Sequence, residues 1–121
     1  HEKTVEITKE DAPWAPDEEI GTYHLTRWRW YDKQNCLANS AVVVDEEKDK
    51  AVLDMGEYYT RMMRVCVEPP EGLTWNLDRI RSIDPEVGEI ITSHLRELNG
   101  LTWKEKRGFL PESEEQENTT G

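Results

Sequence analysis

The most regular helical pattern in the chain is DPEVGEIITSHLRELNG, residues 84–100. Apolar side chains recur in it every three or four residues, as they do on the buried face of a helix. Asp84 is suited to the N-cap and Pro85 to the first helical position, and Asn99-Gly100 is a typical C-terminal signal. We therefore predict a helix that begins after Asp84 and ends near Gly100, with its apolar face in the core.

Other segments of the chain also show helical signals. Residues 54–67 repeat apolar side chains at helical spacing, with Asp54 as N-cap, until Pro69-Pro70 stops the helix. Thr74 is expected to cap a short helix that turns Leu77 and Ile80 inward. A capping box at 102–105 predicts one more short helix, and residues 31–40 are weakly helical.

The first half of the chain carries the strand signals. Residues 20–30 are rich in β-branched and aromatic side chains, which predicts a strand that ends near Thr26 or contains a bulge. The apolar runs 41–44 and 51–53 flank a charged run, which favours a hairpin, although a helix extended into a loop is the alternative. The predicted fold is mainly α with a small β element (α+β). A short N-terminal strand or hairpin region precedes a bundle of three to four short helices.

Charge divides the chain into three parts. The formal net charge of −11 is concentrated at the ends: −5 in residues 1–19 and −4 in residues 112–121, against −2 in residues 20–111. We interpret 1–19 as an extended acidic arm, 20–111 as a single globular domain and 112–121 as a disordered acidic tail. Prolines on either side of Trp14 exclude a helix interior there and favour an extended arm that presents the indole.

Several classes of function are disfavoured. No segment has the clustered excess of Lys and Arg that nucleic-acid binding requires, and no apolar stretch is long enough for a membrane span. Cys36 and Cys66 have no zinc-ligand spacing, and we expect them to be reduced in a cytoplasmic protein. No nucleophile with a neighbouring base and no phosphate-binding glycine loop is evident. We expect neither an enzyme nor a metal or cofactor site.

The sequence is richer in side chains typical of binding surfaces than in side chains typical of catalytic sites. The chain has five Trp and four Tyr residues, together with the pair Met62-Met63, so we expect part of this inventory to form an exposed binding patch. Trp14 either packs onto its own domain or docks into a neighbouring subunit, and the helix after residue 102 either closes the core or binds a partner. The predicted partner-binding residues are Trp14, Trp75, Trp103, Arg107 and Phe109.

Residues 23–110 resemble the tail assembly chaperones of tailed bacteriophages and archaeal tailed viruses. The resemblance is carried by HLTRW at 24–28, DMGEYY at 54–59 followed by MMRVCVEPP at 62–70, and EII at 89–91 leading to LNGL at 98–101 and KEK at 104–106. It is a likeness of layout, in which a short strand-containing start precedes a helical region with a Glu-Pro segment. Trp14 between prolines departs from the family pattern.

The resemblance implies a protein that binds the tape measure protein in the host cytoplasm and prevents its aggregation during tail assembly. Tail tube protein is a further implied partner, and family members often form homo-oligomers. An amphipathic helix is the kind of ligand that an apolar groove accepts. The alternatives are a structural head-tail connector, neck or other virion component, and an acidic inhibitor or DNA-mimic protein.

Overall fold

The computed structural model describes residues 1–48 and 50–100, which form a mixed α+β fold. Within these residues there are four α-helices, a three-stranded antiparallel sheet and a two-stranded antiparallel sheet. The elements in chain order are β1 (Glu2–Ile7), β2 (Gly21–Thr26), α1 (Trp30–Ser40), β3 (Ala41–Asp45), β4 (Lys50–Leu53), α2 (Met55–Cys66), β5 (Val67–Glu68), α3 (Leu77–Arg81) and α4 (Pro85–Asn99).

The three-stranded sheet has β2 at its centre. β1 pairs with it antiparallel over six positions, from Glu2 opposite Thr26 to Ile7 opposite Gly21. On the other side of β2, the two residues of β5 pair with His24 and Leu25. Alternate residues of a strand point to opposite faces. One face of the sheet therefore points into the core, and its buried side chains are Val5, Ile7, Tyr23, Leu25 and Val67.

The prediction of an extended acidic arm over residues 1–19 is wrong. Residues 2–7 form an edge strand of the sheet. The segment that follows folds into turns, in which the side chains of Ala12 and Ala15 are buried. A 3-10 turn at Asp17–Glu19 leads into β2 and buries Glu19. The acidic residues of this segment suggested that it would be fully solvated. In β1, however, polar residues alternate with Val5 and Ile7, so only one face of the strand is exposed to water.

The predicted hairpin is confirmed as β3 and β4. Val42 lies opposite Val52, and the register shifts between Val43 and Asp45, which places a bulge near the turn. The ribbon is closed at its base by a hydrogen bond from the Asp54 backbone N–H to the Ser40 carbonyl, 2.8 Å long. The expected helix before it is confirmed as α1.

The two long helices begin where their capping residues predict. The Asp54 carboxylate accepts from the Glu57 N–H, and the Asp84 carboxylate accepts from the N–H groups of Glu86 and Val87. Both helices bury one apolar face, formed by Tyr58, Met62, Met63 and Cys66 in α2 and by Val87, Ile91 and Leu95 in α4. Each such side chain contributes about 2 kcal/mol of burial free energy.

One cap prediction is wrong. The short helix α3 begins after Asn76, whose side-chain oxygen accepts from the Arg79 N–H at 2.8 Å, and Thr74 lies outside it. Asn and Thr can both act as an N-cap, because each has a short side chain whose oxygen reaches the free N–H groups of the first turn. The helix predicted after residue 102 and the predicted tail 112–121 lie outside the described residues.

Candidate functional site

Trp14 is an exposed tryptophan on an ordered loop. Its side chain is 87% exposed, while Ala12 and Ala15 on either side of it are buried. The loop is held by backbone hydrogen bonds from Ala12 to Thr8 and from Ala15 to Ala12. Of the two alternatives for Trp14, packing onto its own domain is therefore wrong, and the docking alternative stays a prediction.

Trp75 makes internal contacts. Its indole Nε1 donates to the Met63 carbonyl at 3.0 Å, and its ring centroid lies 6.0 Å from that of Tyr23. A half-buried indole with its N–H satisfied by the backbone is typical of a residue that closes a core. Trp75 is therefore held by contacts within its own domain.

The remaining predicted binding residues, Trp103, Arg107 and Phe109, lie outside the described residues. Met62 and Met63 were part of the side-chain inventory from which we expected an exposed patch, but they do not contribute to one, because both side chains are buried on the core face of α2. Helical spacing placed them on the apolar face of α2, and the core covers that face.

A surface that the sequence reasoning missed lies on the hairpin. Val42, Val44 and Val52 are 54%, 64% and 39% exposed, and Val42 and Val52 are direct cross-strand neighbours. We call these three residues the valine face. On the other side of the ribbon Leu53 is buried, so the hairpin is anchored to the body. The signal in the sequence was an unbroken run of valines where a half-exposed strand normally alternates with polar residues.

A second missed surface lies where β2 leads into α1. Arg27, Trp28, Trp30 and Lys33 line a cavity of about 260 Å³ together with Leu98, Asn99 and Gly100. Trp30 is 75% exposed, and the neighbouring Arg29 is also exposed. We call Arg27, Arg29, Trp30 and Lys33 the basic corner. The alternation of Arg and Trp at 27–30 was visible in the sequence but was interpreted only as the end of a strand.

Asn99 fixes the floor of this cavity. Its side-chain oxygen accepts from the Trp28 N–H at 3.0 Å, and its amide donates to the Thr26 carbonyl at 2.9 Å. The buried amide thus joins the end of α4 to the chain leaving β2. Trp28 in turn packs edge-on against Tyr58, with ring centroids 5.8 Å apart. The basic corner is therefore built on a rigid base.

The buried carboxyl group of Glu19 has structural partners. Glu19 accepts from Arg79 Nη2 at 2.6 Å and from the Asp84 backbone N–H at 2.9 Å, which joins the 3-10 turn to α3 and α4. Burial raises the pKa of Cys36 to about 11 and the pKa of Cys66 to about 12, so neither thiol is activated as a nucleophile.

Metal and membrane sites were searched only where the structure describes the chain. Over residues 1–48 and 50–100, no three His, Cys, Asp or Glu side chains converge as metal ligands. In the same residues, no helix combines the length and the apolar character needed to cross a bilayer.

Comparisons of the chain with protein-family models, with curated proteins and with solved structures found no match.

Proposed function

We propose that this protein binds another polypeptide through the valine face, as a viral tail assembly chaperone that binds the tape measure protein and prevents its aggregation. The observation that carries the proposal is the anchored hairpin, which offers three exposed valines to solvent. The resemblance in chain layout supplies the identity of the partner.

The valine face has the character of a binding surface. Exposed valines on a two-stranded ribbon cost free energy in water, and covering them regains about 25 cal/mol for each Å² of apolar surface. The ribbon is five residues long on its longer strand, or about 16 Å, which equals about three turns of an α-helix. One apolar face of a partner helix therefore matches the ribbon in length.

The turn of the hairpin adds a polar rim. Asp45, Glu46 and Glu47 precede Lys48, and the Asp45 carboxylate accepts from the backbone N–H groups of Glu47 and Lys48. This acidic end favours a partner helix whose own end carries Lys or Arg, and it disfavours a second acidic surface. An apolar centre with a charged rim is the usual arrangement of a protein interface.

The proposal is tested by co-expression with helical segments of a tape measure protein. Val42→Asp combined with Val52→Asp places two carboxylates in the centre of the valine face. We expect this variant to lose capture of the segment, and the segment to aggregate, because each carboxylate would have to be desolvated on binding. Co-purification and light scattering measure the two effects.

Val65→Asp is the matched control, because Val65 is 43% exposed but lies on α2, away from the hairpin. It should leave capture unchanged. Capture by both variants, or by neither, would mean that the valine face is not the binding surface. Circular dichroism on each variant verifies that the fold is retained.

A further inference from the structure

We propose that Trp14 of one copy of this chain inserts into the basic corner of a second copy, so that the protein associates head to tail. This interaction uses surfaces separate from the valine face and does not depend on binding a tape measure protein. It identifies the occupant of the cavity lined by Arg27, Trp28 and Trp30.

Trp14 is presented for insertion by a preformed loop. Besides the backbone hydrogen bonds, Lys9 Nζ donates to the Ala15 carbonyl at 2.6 Å, and the Thr8 N–H and hydroxyl both donate to Asp11 Oδ2 at 2.9 Å. Because the loop is already ordered, little conformational entropy is lost when the indole is buried. Tryptophan is among the residues most enriched at the energetic centres of interfaces.

The basic corner offers a matching receptor. Its cavity of about 260 Å³ is several times the volume of about 30 Å³ that one water molecule occupies in the liquid, so it has room for a ring system. Trp28 and Leu98 supply apolar walls and are themselves partly buried against the core. Trp30 stands at the rim, where an incoming indole meets an aromatic surface.

The charges of the two surfaces are complementary. The loop around Trp14 carries Glu10, Asp11, Asp17 and Glu18 against Lys9, a formal −3. Hydrogen bonds from Thr8 lower the pKa of Asp11, so this carboxyl stays ionised. Residues 27–33 carry three cations against Asp32, a formal +2, in a chain whose net charge is −11. Opposite charges around an apolar anchor favour this docking over contact between like surfaces.

The two surfaces lie too far apart to meet within one molecule. The Trp14 loop follows Ile7, which pairs with Gly21 at one end of the β1–β2 ladder, whereas Arg27 follows Thr26 at the other end. Six residues of strand separate the ends by about 20 Å. The contact therefore joins different surfaces of two copies, and repeating it produces a ring or a filament.

Sedimentation velocity of the full chain over a range of concentrations tests the proposal. We expect concentration-dependent association that weakens at high salt, because part of the attraction is electrostatic. Trp14→Ala, and separately Arg27→Glu combined with Arg29→Glu, should each raise the Kd of association by about thirty-fold or more. Tyr31→Ala is the matched control, since Tyr31 is 70% exposed but does not line the cavity.

Mixing the two deficient variants gives the decisive result. The Trp14→Ala chain keeps an intact basic corner, and the Arg27→Glu/Arg29→Glu chain keeps an intact Trp14, so the mixture should form a complex of one copy of each. That complex cannot grow further, because its two outer surfaces are the altered ones. Recovery of a 1:1 complex also shows that both variants are folded.

Three outcomes would overturn the proposal: a parent chain that stays monomeric, association that survives Trp14→Ala, or a mixture that forms no 1:1 complex. If association is lost only when the basic corner is altered, the cavity takes another occupant. In a sample that contains only this chain, that occupant is another segment of the neighbouring copy, and Trp14 is not the ligand.

Discussion

Glu19 shows how a single buried carboxylate organises this molecule. Its side chain is 1% exposed, and it accepts from Arg79 and from the Asp84 N–H. A buried charge is tolerated only when its partners satisfy it. Glu19 thereby joins the turn before β2 to α3 and to the start of α4, whose contacting residues lie 60 and 65 positions later in the sequence.

Replacing Arg79 with Ala is expected to lower the free energy of unfolding by about 3 kcal/mol, because the buried Glu19 carboxyl group would lose its cationic partner. Arg81→Ala is the control: Arg81 pairs with Glu57 and Asp78 near the surface, where solvent screening leaves such pairs with little effect on stability, so a much smaller loss is expected. Urea unfolding measures both variants. Equal losses would show that the Glu19 pair is no more important than a surface pair.

The two cysteines are expected to be unreactive in the folded protein. The thiolate is the reactive form, and burial raises the pKa of Cys36 from 9.0 to about 11 and that of Cys66 to about 12. At pH 8 we expect modification by a thiol-reactive disulfide reagent to be at least about 100-fold slower in the native protein than in denaturant. Absorbance of the released product follows the reaction, and rapid native labelling would contradict the burial of these thiols.

At the scale of elements, β1 is the strand whose importance is most readily tested. Its apolar side chains Val5 and Ile7 are buried, whereas Glu6 between them is exposed. The strand pairs over its full length with β2, so it contributes both hydrogen bonds and core surface.

Ile7→Ala is expected to lower the free energy of unfolding by about 3 kcal/mol, because it removes buried methyl groups and leaves a cavity. Glu6→Ala on the same strand should change it by less than about 0.5 kcal/mol. Thermal or urea unfolding distinguishes them. If residues 1–19 were an arm outside the fold, both substitutions would be neutral.

The helices and β1 differ in how far local signals predict them. An N-cap such as Asp84 lies within a turn of the groups it satisfies, and so α4 begins where the sequence predicts. β1 satisfies its backbone groups by pairing with β2, from Ile7 opposite Gly21 to Glu2 opposite Thr26, and nothing within its own six residues specifies that partner. Asn99 combines a local and a distant signal. Its place at the end of α4 was predicted from the sequence, but the hydrogen bonds of its side-chain amide to Thr26 and Trp28 were not.

For the whole molecule, net charge and exposed apolar surface act against each other. At neutral pH the formal charge of −11 repels copies that approach without complementary charges, and the net charge falls to zero near the pI of about 4.7. Near that pH the valine face is no longer protected by repulsion between copies, and association through apolar surface is favoured.

Light scattering is therefore expected to rise to a maximum near pH 4.7, and Val42→Thr combined with Val52→Thr should reduce that maximum. Threonine keeps the β-branched shape that suits a strand while replacing a methyl group with a hydroxyl, and it leaves the net charge unchanged. Val65→Thr on α2 serves as control. Identical scattering by all three proteins would show that acid aggregation proceeds through other surfaces.

The Trp14 loop and the basic corner were only partly predictable, because each depends on contacts between segments that are distant in sequence. The prolines near Trp14 favoured a presented indole but left open that it packs onto its own domain, and the ordered loop that holds it was not foreseen. The basic corner combines residues 27–33 with residues 98–100, which come together because Asn99 bonds the chain after β2. Trp75 carried the same aromatic signal as Trp14 but lies against the core.

Local signals in the sequence were enough to predict helices α2 and α4 and to favour the hairpin, because capping, helical periodicity and proline act over a few neighbouring residues. Only the tertiary structure decided that the acidic N-terminal segment forms a core strand, which tryptophans are covered, and that valines and arginines face solvent. Those outcomes depend on which distant segment supplies hydrogen bonds and apolar contacts, and no local pattern contains that information.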